Sequence, residues 1–290
     1  MTKTKTNVQL ERLQKLKQQF MSKTNDWKTG NYIDELEEIV QTLDEESMES
    51  YCQLIIPMVL RVLDDHEPLN KRKGVLISEK LVVCWRSYLK TSGMGMIFFE
   101  AIMICTTYLD YPELVDDALR SLSQLVSVIH QTNSIEYFDL LERIMNDAIL
   151  KMLAYCIGGK AELVKILFEH ATLLLKPIGI LSFKYLHQFS GTACEVLELY
   201  VSHPYTQLTA ITLLKELFII CKSRMSDYGS RILTAIVNAW LNMTLKDTST
   251  PKLKCELKLL LNLVKLHPYP KLTNDIKLLE SLEAVQELLH

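Results

Sequence analysis

The stretch that decides the fold is residues 54–81, which read LIIPMVLRVLDDHEPLNKRKGVLISEKL. Its first half carries apolar residues at helical spacing, from Leu54 to Leu63. The spacing ends at the corner Asp64–Glu67, and Pro68 follows. A proline lacks the N–H that a helix interior needs, but it fits the first turn of a new helix. A second apolar series starts at Val75, so the stretch predicts two helices folded back on each other.

Four positions of this hairpin resemble one HEAT repeat. They are a proline in the first helix (Pro57), an acidic residue at its end (Asp64), an early basic residue in the second helix (Lys71) and the small Gly74. Glycine inside a helix costs about 1 kcal/mol relative to alanine. We therefore expect the two helix backbones to approach closely at Gly74. The alternative is an ordinary helical hairpin of any all-α domain.

Composition supports helices and excludes some partners. The chain has 290 residues, of which 48% are hydrophobic, and only 9 are glycine and 8 proline. Few helix breakers in a chain of this hydrophobicity favour long helices joined by short loops. The net charge of −3 gives no electrostatic reason to expect a nucleic-acid partner, because such proteins usually present a strongly basic face.

The cysteines and the apolar runs predict a reducing compartment and no membrane span. None of the seven cysteines forms a C-x-x-C pair, and most lie in apolar helical runs, which is typical of reduced core thiols. No uninterrupted apolar run reaches the roughly 18 to 20 residues that cross a bilayer. We expect the protein in the cytoplasm, with the nucleus as a second compartment.

The N-terminal residues differ in charge from the rest. Residues 1–30 are rich in lysine and predict a weakly amphipathic, frayed helix, whereas acidic residues cluster from Asp34 to Glu49. We divide the chain into an N-terminal helical arm, residues 1–45, and a HEAT-like α-solenoid, residues 46–290.

From Met94 onward one helix follows another. Turn and cap residues separate them, among them Lys176-Pro177 and Ser190-Gly191, and helix pairs recur about every 35 to 45 residues, the period of helical repeat arrays. The predicted fold class is all-α, an α-solenoid of HEAT/armadillo-like helix pairs. The predicted helices are 94–109, 112–130, 134–157, 160–175, 178–189, 191–201, 205–223, 229–245, 251–266 and 271–289.

No motif predicts catalysis. The corner Asp64–Glu67 is the obvious place to suspect a metal, but a second set of ligands is missing and His66-Glu67 does not continue into H-E-x-x-H. The sequence also lacks a P-loop, a G-x-S-x-G and a G-x-G-x-x-G motif. We therefore predict no catalytic residue, metal or cofactor, and consider an all-α enzyme less favoured than a binding scaffold.

Three stretches together resemble the Tti-two family (TELO-two-interacting protein two). The first is Val62–Glu67, followed by Lys73-Gly74 and the apolar residues 76–82, which resembles the family's Asp-Asp-His corner and leucine-rich helix. The second is the helix Phe98–Ile102, closed by Tyr108-Leu109.

The third stretch is Leu175–Leu186, followed by Glu198–Tyr200 and Ala210–Leu217. It resembles the family's Leu-Gly-Ile-Leu motif and the helix pair after it. Together the three stretches extend the resemblance over about residues 55–245.

The resemblance implies a function without catalysis. It implies a scaffold subunit of the Triple T (TTT) complex, with Tel-two-like and Tti-one-like HEAT proteins as partners. That complex acts as a co-chaperone with the ninety-kilodalton heat-shock chaperone and matures phosphatidylinositol-kinase-related kinases of the mTOR, ATM and ATR class. The alternative is a HEAT or armadillo adaptor in transport or trafficking.

The resemblance also suggests contact residues, in the corner after the first helix and in the stretch from Pro177 onward. The other interpretation makes Asp64 a turn-stabilising acceptor and Ile178, Ile180 and Leu181 plain core. The predicted partner-binding residues are Asp64, Asp65, His66, Lys184, Tyr185 and Tyr200.

Overall fold

The computed structural model describes residues 2–22, 26–28, 30–42, 45–246, 248 and 250–289. All secondary structure in these residues is helical, with no strand among them, which confirms the all-α class of HEAT-like helix pairs. The chain divides into two compact units, residues 1–148 and 149–290. The predicted division at residues 45 and 46 stays a prediction.

The first unit contains two long helix pairs, α3 with α4 and α6 with α7, and shorter helices around them. Within it, α4 packs against α3 and α7, α6 packs against α7, and α1 lies on α3. Its helices are α1 (Thr2–Met21), α2 (Tyr32–Thr42), α3 (Glu45–Leu63), α4 (Pro68–Cys84), α5 (Arg86–Ser92), α6 (Met94–Cys105), α7 (Pro112–Ile129) and α8 (Ile135–Arg143).

The second unit is built around α12, which packs against α10, α11 and α14, while α13 packs against α11 and α14. Short 3-10 segments at Gly179–Tyr185 and Lys222–Tyr228 join helices of this unit. Its helices are α9 (Lys151–Cys156), α10 (Ala161–Ile178), α11 (Leu186–Leu199), α12 (Pro204–Ile220), α13 (Gly229–Leu245), α14 (Pro251–Leu266), α15 (Leu272–Glu280) and α16 (Gln286–Leu289).

The hairpin of α3 and α4 forms as the sequence predicts. A Cβ atom at Gly74 would lie 3.1 Å from both the backbone nitrogen of Leu63 and Cγ1 of Val62, so the two helices meet there at close range. Lys71 is buried, and its Nζ donates to the carbonyl of Leu63, 2.5 Å away. A lysine on a terminal carbonyl satisfies an acceptor that the helix itself leaves unpaired. Gly74 and Lys71 therefore tie the start of α4 to the end of α3.

Two hydrogen bonds between helices of successive pairs agree with the predicted repeat. Arg72 on α4 donates to Asp117 on α7, 45 residues further on. Thr206 on α12 donates to the carbonyl of Ala161 on α10, again 45 residues away. These separations lie at the upper end of the predicted period.

Of two predicted breaks in the second unit, one is displaced by two residues and the other is wrong. Helix α10 continues through Lys176-Pro177 to Ile178 and ends at Gly179, whose φ of +58° suits glycine. Helix α11 runs through Ser190-Gly191, where the Ser190 hydroxyl donates to the carbonyl of His187 at 3.2 Å and so does not compete as a cap for a new helix. The predicted helix 178–189 is instead the 3-10 turn Gly179–Tyr185 and the first turn of α11.

The predicted helix 134–157 is also not a single α-helix. A π-helical segment, Ile144–Leu150, separates α8 from α9, and the boundary between the two units falls inside it. Ile144 and Met145 are buried, while Asn146 and Asp147 are exposed. An apolar pattern of period near 3.6 does not distinguish a π-helical turn from an α-helical one.

The N-terminal helix is packed along its second half. Leu13, Leu16 and Phe20 are buried, and Arg12 donates to Glu35 on α2. The prediction of a frayed helix is therefore wrong for this part of α1, because its three apolar side chains are spaced to meet α3 and its surroundings.

One stretch, Ala161–Leu199, is long and apolar enough to cross a membrane by length and composition. Charged residues such as Glu162 and Lys165 interrupt it, so it contains no uninterrupted apolar run of that length. In the structure 56% of its most apolar window is buried inside the protein, as expected of a core helix. The pair α5 and α6 passes the same test but is bent by 97°.

Candidate partner-binding site

The corner after α3 holds a buried carboxylate. The side chain of Asp65 is inaccessible to solvent, whereas Asp64 and His66 are exposed. Asp65 accepts from Lys28 Nζ at 2.5 Å, from Asn70 Nδ2 at 2.8 Å and from the backbone N–H of His66 at 2.7 Å. Its oxygens are thus occupied by donors of the same unit.

These donors decide the charge of Asp65. Burial by itself raises the pKa of this carboxyl, but the hydrogen bonds from Lys28, Asn70 and the His66 N–H outweigh burial and hold the pKa below its usual value. Asp65 is therefore ionised and paired at neutral pH. Because its pKa is lowered in the folded protein, this charge stabilises the native corner, and its buried side chain offers little to a protein partner.

Lys28, which forms the ion pair with Asp65, belongs to a short segment before α2. Lys28 belongs to the 3-10 turn Asp26–Lys28, next to Trp27, whose ring is buried and stacked on Phe20 at 5.1 Å. The Lys28 ammonium and the Arg61 guanidinium lie 5.3 Å and 5.7 Å from the Trp27 ring centroid. The corner thus fastens this turn to the end of α3, and Asp65 is the anchor.

The second group of predicted residues lies in the other unit. Tyr185 is buried and meets Phe189 edge to face at 6.2 Å. Tyr200 is also buried; its hydroxyl accepts from the backbone N–H of Gly158 at 2.8 Å and donates to the carbonyl of Cys156 at 3.1 Å. Both tyrosines pack inside their unit.

Lys184 is the exposed member of that second group. Its ammonium lies 5.1 Å from the ring centroid of Tyr185. Of the six predicted residues, the structure therefore leaves Asp64, His66 and Lys184 accessible, and the role of all six as partner contacts stays a prediction.

The turn that carries Lys184 exposes residues that the alternative interpretation assigned to the core. Ile178 is buried, as that interpretation predicted, but Ile180 is 63% exposed and Leu181 is 49% exposed. The reason is Gly179, where the positive φ redirects the chain out of α10. Periodicity alone predicted buried residues here, and the glycine was the available sign of a change in direction.

The described residues contain no group of three or more His, Cys, Asp or Glu side chains that could hold a metal. The seven cysteines are free thiols, and burial raises the pKa of Cys105 to about 11 and of Cys194 to about 12. A thiol with a raised pKa is a poor nucleophile at neutral pH.

Several carboxylates and guanidinium groups with shifted pKa values belong to pairs that join helices. Hydrogen bonds from Arg231 lower the pKa of Glu198, which also accepts from Asn238. Arg143 forms a bidentate pair with Glu100. Such two-pronged pairs orient neighbouring helices and require no substrate.

Comparison with protein-family models matches residues 2–199 to the Tti2 family. Comparisons with curated proteins and with solved structures give no match. The matched range contains the corner at Asp65 and the turn at Lys184 and ends just before Tyr200. It begins earlier and ends earlier than residues 55–245, over which the sequence motifs extend the resemblance. The chain therefore belongs to the Tti2 family, which gives it the general context of a TTT-complex subunit that works with protein partners.

Proposed function

We propose that this protein is a non-catalytic scaffold subunit that binds Tel-two-like and Tti-one-like HEAT proteins in a TTT co-chaperone complex. Through that complex it stabilises and matures phosphatidylinositol-kinase-related kinases together with the ninety-kilodalton heat-shock chaperone. It works in the cytoplasm, with the nucleus as a second compartment. The observation that carries the proposal is the family match over residues 2–199.

The physical character of the described residues supports a scaffold. Helix pairs that contact mainly their neighbours present long rows of loops and helix faces, which suit another extended helical protein. Several charged groups with shifted pKa values are engaged in pairs between helices, as at Arg72 with Asp117 and at Arg231 with Glu198. Neither pair points to a reaction, because an active site needs converging reactive groups around an open position.

Affinity purification tests the proposal. The full chain, tagged at its C-terminus and expressed at its natural level, is isolated and its partners are identified by mass spectrometry. We expect two larger HEAT-repeat proteins in equal amount with the tagged chain, and kinases of the phosphatidylinositol-kinase-related class in smaller amount. If cargo receptors or coat proteins are recovered instead, the protein functions as an adaptor in transport or trafficking.

A second measurement addresses kinase maturation. Depletion of the protein is expected to lower the amount of newly synthesised kinase of this class while its messenger RNA is unchanged. Unchanged kinase levels, in cells where the two HEAT partners still co-purify, would separate complex membership from the maturation role.

A further inference from the structure

Three helices, α10, α12 and α14, end at the same edge of the second unit. Thr206 at the start of α12 donates to the carbonyl of Ala161 at the start of α10, so the two helices begin side by side. The turn Gly179–Tyr185 follows the end of α10 and still contacts α12. Helices of this length extend about 25 Å, so the turn reaches α12 only if both helices also end at the same edge.

Two ring contacts add the neighbouring connections to this edge. His187, just after that turn, lies 6.1 Å from Tyr228 in the 3-10 segment that follows α12. Phe218, near the end of α12, stacks at 5.5 Å on His267, which follows α14. We call residues 173–188, 219–228 and 266–271 the basic edge.

The basic edge exposes apolar side chains from each of its three segments. They are between 49% and 72% exposed, so they are accessible but partly covered by their surroundings. Residues next to them are buried: Ile178 at the end of α10, and Ser182 and Tyr185 in the turn Gly179–Tyr185. The exposed side chains are Leu173, Ile180, Leu181, Ile219 and Leu266.

The charge of this edge is one-sided. Its three segments contain a single acidic residue, Asp227, which lies 3.9 Å from Arg224. One more, Asp275, lies just beyond the third segment and accepts from the Tyr269 hydroxyl. The whole chain, by contrast, has a net charge of −3. The basic residues of the three segments are Lys176, Lys184, Lys222, Arg224 and Lys271, all of them exposed.

The opposite edge of the same unit shows that exposed apolar residues alone do not define a partner. Leu199, Tyr205 and Leu245 are exposed there, where α11 and α13 end and α12 begins. Around them stand both acidic and basic residues, for example Glu198 and Lys246. Only at the basic edge do the charges specify the chemistry of an occupant.

We propose that the basic edge is a docking surface for an acidic amphipathic helix of a partner protein. Apolar residues of that helix, repeating at three and four positions, would contact Ile180, Leu181 and Ile219, and its acidic residues would face the lysines and Arg224. The axes of packed helices lie about 8–10 Å apart, so a partner helix about 10–12 Å across would lie over the connections at their ends and contact more than one of them. The exposed apolar side chains come from three separate segments, which matches the repeated apolar residues of a helix.

The proposal rests on the proposed function only in expecting a protein partner. A binding experiment with the full chain tests it directly. The probe is a fluorescein-labelled helical peptide about three heptads long, with leucine at the a and d positions and glutamate at the flanking positions. A matched peptide carries lysine instead of glutamate. Fluorescence anisotropy at increasing salt measures both.

We expect the glutamate peptide to bind and the lysine peptide not to bind. The double variant Ile180→Asp with Leu181→Asp is expected to lose at least about tenfold in affinity, a loss of about 1.4 kcal/mol. Leu245→Asp, on the opposite edge, is the matched control and should leave binding unchanged. Far-ultraviolet circular dichroism checks that each variant is folded.

A charge reversal sharpens the test. The double variant Lys184→Glu with Lys222→Glu is expected to bind the glutamate peptide more weakly than the wild type does, and to bind the lysine peptide, which the wild type does not. Equal binding of both peptides by the wild-type protein, or equal loss with Leu245→Asp, would overturn the proposal. A third outcome would also overturn it: the wild-type protein binds vesicles of phosphatidylserine and phosphatidylcholine but neither peptide, and the Ile180→Asp, Leu181→Asp variant loses vesicle binding. The basic edge would then be a membrane-binding surface.

The same variants separate this inference from the proposed function. If the two HEAT proteins co-purify at wild-type levels with Ile180→Asp and Leu181→Asp, the TTT proposal stands and the basic edge is not their contact. If wild-type protein recovers other partners, the TTT proposal fails, while the peptide measurement still decides the docking surface.

Discussion

The corner Asp64–Glu67 and the turn Gly179–Tyr185 each join one helix to the next, and each lies within the range that matches the family. They use their side chains in opposite ways. In the corner, Asp65 points inward and takes donors from Lys28 and Asn70. In the turn, Ile180 and Leu181 point outward while their neighbours are buried.

The difference shows what decides whether a connection is internal or available. A carboxylate can be buried where several donors reach it, because their hydrogen bonds replace those that it would make with water. Without such donors, burying the charge would cost much more free energy than leaving it in water. A glycine with positive φ at a helix end redirects the chain, so that the next apolar residues leave the core. Four predictions test this comparison.

Among substitutions in the two connections themselves, the largest effect is expected from Asp65→Ala in the corner. It leaves the Lys28 ammonium and the Asn70 amide without their acceptor, and we expect a loss of about 3 kcal/mol in the free energy of unfolding. Urea denaturation followed by circular dichroism measures it. Asp64→Ala, the exposed neighbour, is the control and should change stability by less than about 0.5 kcal/mol. If the two variants lost equal free energy of unfolding, the buried Asp65 would not be what stabilises the corner.

The next effect concerns the helix contact beside the corner. Gly74→Leu forces a side chain against the backbone of Leu63 and is expected to destabilise by about 2 kcal/mol. Gly191→Ala is the counterpart in α11, where an added Cβ meets nothing within 4 Å. That variant should stabilise by about 0.5–1 kcal/mol, because alanine is the better helix former. A gain in melting temperature for both variants would mean that α3 and α4 do not meet closely at Gly74.

A smaller effect is expected with pH. The pKa of Asp65 is lowered in the folded protein, so its ionisation stabilises the fold above the ordinary carboxyl pKa of 3.8 and this contribution is lost as the pH falls through the lower folded value. The free energy of unfolding is to be measured between about pH 6 and pH 3 for the wild type and for Asp65→Asn.

The difference between these two proteins should shrink toward low pH. Glu100 and Glu198, whose pKa values hydrogen bonds from Arg143 and Arg231 also lower, remain in both proteins and cancel in the comparison. A difference that stays constant over the range would mean that the charge of Asp65 contributes nothing.

The local contacts of the first hairpin were largely predictable from the sequence, and the exposed turn was not. Pro68 and Gly74 act within a few residues of their positions, so the bend and the close approach follow from backbone chemistry. The burial of Asp65 depends on Lys28, 37 residues away, which no local pattern contains. Tyr200 likewise finds its partners at Cys156 and Gly158 only after folding.

The smallest effect is expected in the turn itself. Ile180→Ser with Leu181→Ser removes two exposed apolar side chains and should change the free energy of unfolding by less than about 0.5 kcal/mol, because neither side chain fills the core. Ile178→Ser is the matched variant one residue before Gly179; its side chain is buried, and we expect a loss of about 2–4 kcal/mol. Thermal unfolding of the three proteins provides the comparison. A double variant that melts as early as Ile178→Ser would mean that the turn packs inward, and the contrast with the corner at Asp65 would then disappear.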